Sequence, residues 1–262
     1  RLFEGQLYGE GFFEITPPII NLILFPPWLI HHYFHLNLTI CYYSYVTLLT
    51  WVSCYFCSQW IQERWEKTHP KFAKGLYFSL LMGLYIFPLS DYGQKDYLFW
   101  VFFLPYLFSI IHQFYHGKLS YSTGIFIGLW LFLGVGIKHF YLIPVMAIEC
   151  FIMFEKRRWF TWQRPEPITL IILCFFYVLI IKIYFPGYVT IILPTALKIH
   201  YLLVKVPLSR LIFSNWMFLL LLLNFTSILG YKTHPFKREM VLFNIALNAV
   251  SYTHLRAHET RE

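Results

Sequence analysis

The chain has 262 residues, of which 58% are hydrophobic, 22% are aromatic and only 13% are charged, and its formal net charge at neutral pH is +8. Soluble domains carry roughly 25% charged residues, so the composition excludes an ordinary soluble protein. The basic residues concentrate in alternate connectors between apolar segments, which is typical of membrane topology. Nucleic-acid binding is therefore a poor explanation of the charge.

Two proline-interrupted segments, 17–35 and 188–205, differ from the other apolar parts of the chain. Pro26 and Pro27 interrupt the first and Pro194 the second, and proline inside a helix removes a hydrogen bond and obstructs the preceding turn. We expect both segments to form interfacial or re-entrant helices on the outer face of a membrane. For 188–205, a poor extra crossing remains an alternative.

Seven apolar, aromatic-rich blocks follow one another along the chain. A transmembrane helix needs about 20 apolar residues, or about 17 at the short end, and several blocks lie near that lower limit. A series of this kind predicts an all-α, polytopic transmembrane helix bundle with at least seven crossings. The blocks are 39–58, 75–90, 97–113, 121–137, 140–154, 168–185 and 209–230.

The last residues do not continue this pattern. Val250–Thr260 reads VSYTHLRAHET, which resembles a translated transposase-type sequencing adapter, and we exclude residues 250–262 from the fold as an expected artefact. Residues 1–249 are then one polytopic membrane domain. The chain begins with Arg1 and not Met, so we expect a fragment that is open at both ends.

The distribution of Lys and Arg predicts the orientation of the crossings. One set of alternate connectors carries 12 basic residues and the other set carries 7, and cytoplasmic loops hold the excess. We therefore expect a multi-pass protein of a plasma membrane with residues 1–38 outside. The inner set is Arg64, Lys67, Lys71, Lys74, Lys118, Lys156, Arg157, Arg158, Arg164, Lys232, Lys237 and Arg238.

Polar residues of the predicted outer face gather at three places, and the first is a loop with two carboxylates. Glu10 and Glu14 lie among aromatic residues directly before segment 17–35. A carboxylate at the mouth of an apolar cavity can act as a general base or as a ligand for a hard divalent cation. A solvated loop whose acids have no role is the alternative, and the residues themselves leave both interpretations open.

The second place is a short turn between two apolar blocks. Turn chemistry alone explains Asp91 and Gly93. Gln94, Lys95 and Asp96 add a donor, a cation and an anion in three consecutive residues. That is more than a hairpin requires, so we expect these three to bind substrate, with Asp91 and Asp96 as the next candidates if the first-loop acids have no role.

The third place is the pair Lys138-His139 between blocks 121–137 and 140–154. Such a pair can hold a phosphate or diphosphate, with Lys as a point charge. Snorkelling of Lys138 at a helix end is the alternative. No metal site is predicted at the CxxC of Cys54 and Cys57, because it lies inside an apolar block, where cysteine is usually a packing residue.

Together these motifs resemble a known family. The first-loop string Phe13-Glu14-Ile15-Thr16-Pro17-Pro18, the turn Tyr92–Asp96, and Lys138-His139-Phe140 ahead of Pro144 are similar to bacterial polytopic membrane glycosyltransferases of the GT-C type, near the dolichyl-phosphate-mannose mannosyltransferase group. The resemblance covers about residues 5–160. The chain departs from the family at Thr16, where Asn is common, and at Gly11, where members tend to carry Asp.

The resemblance implies an activity and roles for these residues. The protein would move a sugar from a polyprenyl-phosphate donor to an envelope glycan, lipid or protein at the outer face of the bacterial inner membrane. Glu14, or alternatively Glu10, would be the general base or the ligand of a divalent cation. Lys138, His139 and Lys95 would neutralise the phosphate leaving group.

A second function class remains open beside the glycosyltransferase. A transporter, flippase or polymerase-type envelope protein would handle a lipid-linked substrate without glycosyl transfer. Transporters commonly show paired, Gly/Pro-interrupted midplane helices in repeated halves. This sequence has no evident repeat and its polar groups gather at one face, which favours the enzyme.

Overall fold

A computed structural model describes residues 17–86, 88, 91–156, 163–195, 198, 239 and 241–245. The chain divides into two compact units. The main unit consists of Thr16–Lys138 and Arg164–Val178, and the second unit of Arg1–Ile15, His139–Gln163 and Leu179–Glu262.

All regular structure in the described residues is helical. Wider π-type turns extend two of the helices, at Gln62–Glu66 and at Met82–Ile86, and a third such turn covers Tyr188–Ile192. The predicted all-α class is therefore confirmed for this part of the chain. The α-helices are α1 (Ile19–Phe34), α2 (Leu38–Ile61), α3 (Pro70–Leu81), α4 (Lys95–His116), α5 (Tyr121–Ile137), α6 (Leu142–Lys156) and α7 (Pro165–Tyr184).

Within the described residues, three helical stretches are long and apolar enough to cross a membrane, which gives the chain the character of a membrane protein. They are Leu38–Glu66, Lys95–Tyr115 and Pro165–Tyr184, while the apolar helices α1 and α5 are shorter. Six of the seven predicted blocks coincide with helices, and block 209–230 lies outside the described residues. The number of seven crossings and their orientation stay predictions.

Helix α1 keeps Pro26 and Pro27 inside a continuous helix of 16 residues. At 1.5 Å per residue it is about 24 Å long, which is shorter than the hydrocarbon core of about 30 Å. It ends at Phe34 and is followed by His35, whose φ of 54° is left-handed. An interfacial position for α1 stays a prediction, and of 188–205 only 188–195 and 198 are described.

Local sequence explains where several helices begin. The Asn37 side chain accepts a hydrogen bond of 2.9 Å from the backbone N–H of Thr39 and caps α2. The Ser120 hydroxyl caps α5 by accepting from Thr123 N–H at 3.2 Å. Pro70 stands at the first turn of α3, where its fixed φ suits a helix start. Helix α3 therefore begins five residues before the predicted block at 75.

Helix α4 is the centre of the main unit. It packs against α2 and α5, while α1 packs against α2 and α5, and α3 against α2. Aromatic and aliphatic side chains along α4 are almost completely buried, on more than one side of the helix. These include Leu98, Phe99, Val101, Phe102, Phe103, Tyr106 and Leu107.

Glycines on α5 allow two neighbouring helices to approach closely. A Cβ at Gly128 would lie 2.7 Å from the Glu166 carbonyl oxygen and 2.7 Å from the Thr169 Cβ of α7. A Cβ at Gly134 would lie 2.8 Å from the Phe102 Cβ of α4. Small residues of this kind are common where membrane helices pack. The glycines of α5 thus allow close van der Waals packing against α4 and α7.

The direction of the helices follows from their contacts. Gly124 meets Pro165, and Gly128 meets Thr169, so α5 and α7 run parallel within the main unit. The predicted block 140–154 forms α6, which belongs to the second unit.

The close packing at Gly128 predicts a large difference between two glycines. We expect Gly128→Leu to destabilise the protein by about 1–3 kcal/mol or more, because the side chain would overlap α7 backbone. Gly75→Leu is the matched control, since nothing lies within 4 Å of a Cβ at Gly75. Thermal unfolding in detergent measures both variants, and equal stability of the two would contradict the packing.

The helix directions also predict the membrane sides of two exposed residues. Glu66 follows α2 and Asp91 precedes α4, and both are exposed. We expect Glu66→Cys and Asp91→Cys to react with impermeant maleimide from opposite sides, Asp91→Cys from outside, after the exposed Cys150 is replaced by Ser. Labelling of both from the same side would show that the topology is wrong.

Candidate functional site

An ion pair joins two of the residues that the sequence predicted to bind substrate. The Lys138 Nζ lies 2.6 Å from the Asp96 Oδ1, and the side chains are 25% and 26% exposed. Asp96 belongs to the first turn of α4 and Lys138 follows the last residue of α5. Anions near a helix N-terminus and cations near a C-terminus are stabilised by the helix dipole. The antiparallel α4 and α5 thus bring both charges to one end of the main unit.

The turn before α4 is tied to α2. The backbone N–H of Asp91 donates to the Pro88 carbonyl at 2.6 Å, and that of Gln94 donates to the Asp91 carbonyl at 2.9 Å. Gly93 has a φ of 79°, which favours glycine, and the Tyr42 hydroxyl donates to its carbonyl. The turn predicted from Asp91 and Gly93 is therefore present and fixed.

The structure brings the predicted triplet to the start of α4. Gln94 is the residue before the helix, has an extended backbone and is exposed, while Lys95 and Asp96 are partly buried. The Gln94 carbonyl accepts from the Leu98 N–H at 2.9 Å. Gln94, Lys95, Asp96 and Lys138 therefore lie at the same end of the bundle.

A group of tyrosines beside this turn was missed by sequence reasoning. We call Tyr42, Tyr43, Tyr85, Tyr92 and Tyr97 the tyrosine cluster. The rings of Tyr92 and Tyr97 are 4.8 Å apart, those of Tyr43 and Tyr92 are 6.1 Å apart, and those of Tyr85 and Tyr92 are 6.5 Å apart. The cluster covers the space between α2, the extension of α3 and the start of α4.

Two threonines of α2 bond to the tyrosine cluster. The Thr47 hydroxyl lies 2.9 Å from the Tyr92 hydroxyl, and the Thr50 hydroxyl lies 2.6 Å from the Tyr97 hydroxyl. Thr47 and Thr50 are three residues apart and so share one side of α2. The three-residue spacing of the threonines and the tyrosines around the turn are the sequence features from which this cluster could have been predicted.

Three predicted residues lie wholly or partly outside the described part of the chain. Glu10 and Glu14 lie outside the described residues. His139 begins a short 3₁₀ turn, His139–Tyr141, in the second unit, and its side chain is likewise outside the described part. The pairing of His139 with Lys138 at a phosphate stays a prediction.

The opposite end of the main unit carries two polar pairs that the sequence did not reveal. The His112 Nε2 lies 2.8 Å from the Glu63 Oε2. The Gln113 amide donates to the Glu166 Oε1 at 2.6 Å, and Glu166 is fully buried. Arg64 places its guanidinium 3.5 Å from the centre of the Tyr115 ring. These contacts hold the ends of α2, α4 and α7 together.

No group of three His, Cys, Asp or Glu side chains that could hold a metal ion is present among the described residues. Cys54 and Cys57 are buried in α2 as free cysteines. The two acids predicted as ligands of a divalent cation, Glu10 and Glu14, are outside the described residues.

None of the known protein families, curated proteins or solved structures with which the chain was compared matches it.

The Asp96–Lys138 pair predicts a measurable coupling. Lys138→Met removes the cation beside a partly buried carboxylate, so we expect lower thermal stability than in the parent protein. Adding Asp96→Asn should restore part of the loss, with a coupling energy of about 0.5–3 kcal/mol in a double-mutant cycle. Thermal unfolding of the four proteins in detergent measures it.

A matched control separates the pair from a general effect of charge. Lys118 is exposed, and we expect Lys118→Met to change the unfolding temperature little. Additive effects of Asp96→Asn and Lys138→Met would mean that the two charges do not stabilise each other.

Proposed function

We propose that the chain is a membrane glycosyltransferase that moves a sugar from a polyprenyl-phosphate donor to an envelope acceptor at the outer face of a bacterial inner membrane. The observation that carries the proposal is the partly buried Asp96–Lys138 pair at one end of a bundle of apolar helices. Such a place offers a cation next to hydrocarbon, which is the environment that a lipid phosphate requires.

In the proposed glycosyl transfer, Lys138 and Asp96 have different roles. An acceptor hydroxyl oxygen forms a bond to the anomeric carbon of the donor sugar, and the bond from that carbon to the phosphate oxygen breaks. The hydroxyl proton passes to a base, and the electron pair leaves with the phosphate. Lys138 would neutralise the phosphate, helped by His139 and Lys95, while Asp96 holds the Lys138 amine in place at 2.6 Å.

The start of α1 supports a role for the first loop. The Ile19 backbone N–H donates to the Tyr177 hydroxyl at 3.0 Å, and the Ile19 side chain packs against Gly136, two residues before Lys138. Glu14 precedes Ile19 by five residues in the chain and lies outside the described residues. Its assignment to this end is part of the proposal.

The surroundings of the pair also suit a lipid-linked sugar. The tyrosine cluster offers ring faces and hydroxyl groups close to the turn that precedes Asp96. Helix α7 exposes long apolar side chains such as Ile171 and Phe175, against which a polyprenyl tail could lie. We therefore propose that the sugar lies at the tyrosine-rich end and the polyprenyl tail along the helices.

Glu14 is the preferred base, with Glu10 as the alternative. Only Ile15 separates Glu14 from Thr16-Pro17-Pro18. The two prolines restrict the backbone that follows Glu14. A divalent cation held by these acids is a second possible role. Either role makes the carboxylate charge essential.

Replacing the first-loop acids tests the proposal. We expect Glu14→Gln to lower transfer from a polyprenyl-phosphate sugar by about 10²–10⁴-fold, because loss of a general base has that cost. Glu10→Gln should have this effect instead if Glu10 is the base. Radiolabelled transfer in membranes, normalised to the amount of folded protein, measures both.

Glu66→Gln is the control, since Glu66 is an exposed acid at the other end of α2, and we expect normal transfer. Near-normal transfer by both first-loop variants would move the search for the base to Asp91 and Asp96. A purified protein that carries labelled lipid across proteoliposomes without any transfer would instead identify a transporter or flippase.

A further inference from the structure

Three exposed lysines form a cationic surface at the start of α3. Lys67 lies in the turn before the helix, and Lys71 and Lys74 lie on α3 three residues apart, so these two share one side of it. None of the three makes a hydrogen bond or ion pair with the described part of the chain. We call this surface the α3 basic face.

The acids near this surface do not neutralise it. Glu63 lies 2.8 Å from the His112 ring, on the side of α4. Glu66 is exposed and has no ion pair with a described residue. Arg64, stacked on Tyr115, adds a further positive charge. The segment 62–74 thus carries four Lys and Arg residues against two acids.

Aromatic side chains continue the α3 basic face along the helix. Phe72, Tyr77 and Phe78 are 40%, 39% and 59% exposed, whereas Ala73 and Leu80 are buried. Helix α3 is therefore covered on one narrow side only. Lys71 and Phe78 are seven residues apart, or about 10 Å along the helix axis. The charged side chains therefore lie at the start of α3, and exposed aromatic side chains lie further along it.

The position of the lysines relative to the membrane selects the ligand. The candidate span Leu38–Glu66 ends one residue before Lys67, so the lysines follow directly on an apolar stretch long enough to cross a bilayer. Basic residues at such a boundary attract anionic lipid headgroups, and aromatic side chains favour the same zone. A soluble anion would use the charges but not the exposed rings.

We propose that the α3 basic face binds an anionic glycerophospholipid of the surrounding membrane. The lipid phosphate lies among Lys67, Lys71 and Lys74, and its acyl chains lie along Tyr77 and Phe78. Charge complementarity gives the headgroup preference, and the exposed rings give contact with the chains. This site is at the opposite end of the main unit from Asp96 and Lys138, and it does not depend on the proposed glycosyl transfer.

Native mass spectrometry of the purified full chain, equilibrated with equal amounts of phosphatidylglycerol and phosphatidylcholine, tests the site. We expect the parent protein to retain phosphatidylglycerol in about tenfold preference, because each lysine near an anionic lipid adds to its affinity. The triple variant Lys67→Gln, Lys71→Gln, Lys74→Gln should lose most of this preference. Phe78→Ser should weaken retention while keeping the headgroup preference.

A charge-matched control is available in the same chain. Lys118, Lys182 and Lys198 are also exposed, and the variant with all three changed to Gln should keep the preference. An equal loss in this control, or no preference in the parent protein, would overturn the proposal. So would displacement of the lipid by millimolar inorganic phosphate alone, which would assign the face to a soluble anion. The single variants Lys71→Gln and Lys74→Gln repeat the test if the triple variant fails to fold.

Discussion

Helix α4 is enclosed by its neighbours, and the arrangement of the main unit depends on that burial. Phe99, Phe102 and Phe103 follow one another with almost no exposed surface. Rings that point in several directions have to be covered on several sides, so α2 and α5 must both pack against α4. In an apolar solvent this close packing and its dispersion contacts replace the hydrophobic effect that drives soluble cores.

The burial of α4 also determines where polar groups can lie. Its middle carries no charged side chain, and its charged residues lie near the two ends. At one end Asp96 pairs with Lys138, and at the other His112 pairs with Glu63 and Gln113 with Glu166. Each pair joins α4 to a different helix or its extension, so these pairs hold the bundle together at both ends.

The two ends differ in what they can bind. The Asp96 end combines one cation, one anion and the hydroxyls of the tyrosine cluster, which suits a polar, sugar-bearing phosphate. The α3 basic face has three lysines that form no ion pair with a described residue, and exposed rings lie beside them, which suits the headgroup and chains of a membrane lipid. Two such different ends suit a protein that binds a lipid-linked substrate at one end and membrane lipids at the other.

The sequence by itself determined the class of the protein and most of its elements, because length and apolar composition are properties of each segment alone. Six helices lie where the blocks predicted them, and the turn at Gly93 followed from turn chemistry. The tertiary structure alone decided which groups meet. Asp96 and Lys138 are 42 residues apart, and Gln113 and Glu166 are 53 apart. Such pairs depend on which helices pack together and in which direction. Apolar blocks of similar composition do not show in the sequence which helix packs against which.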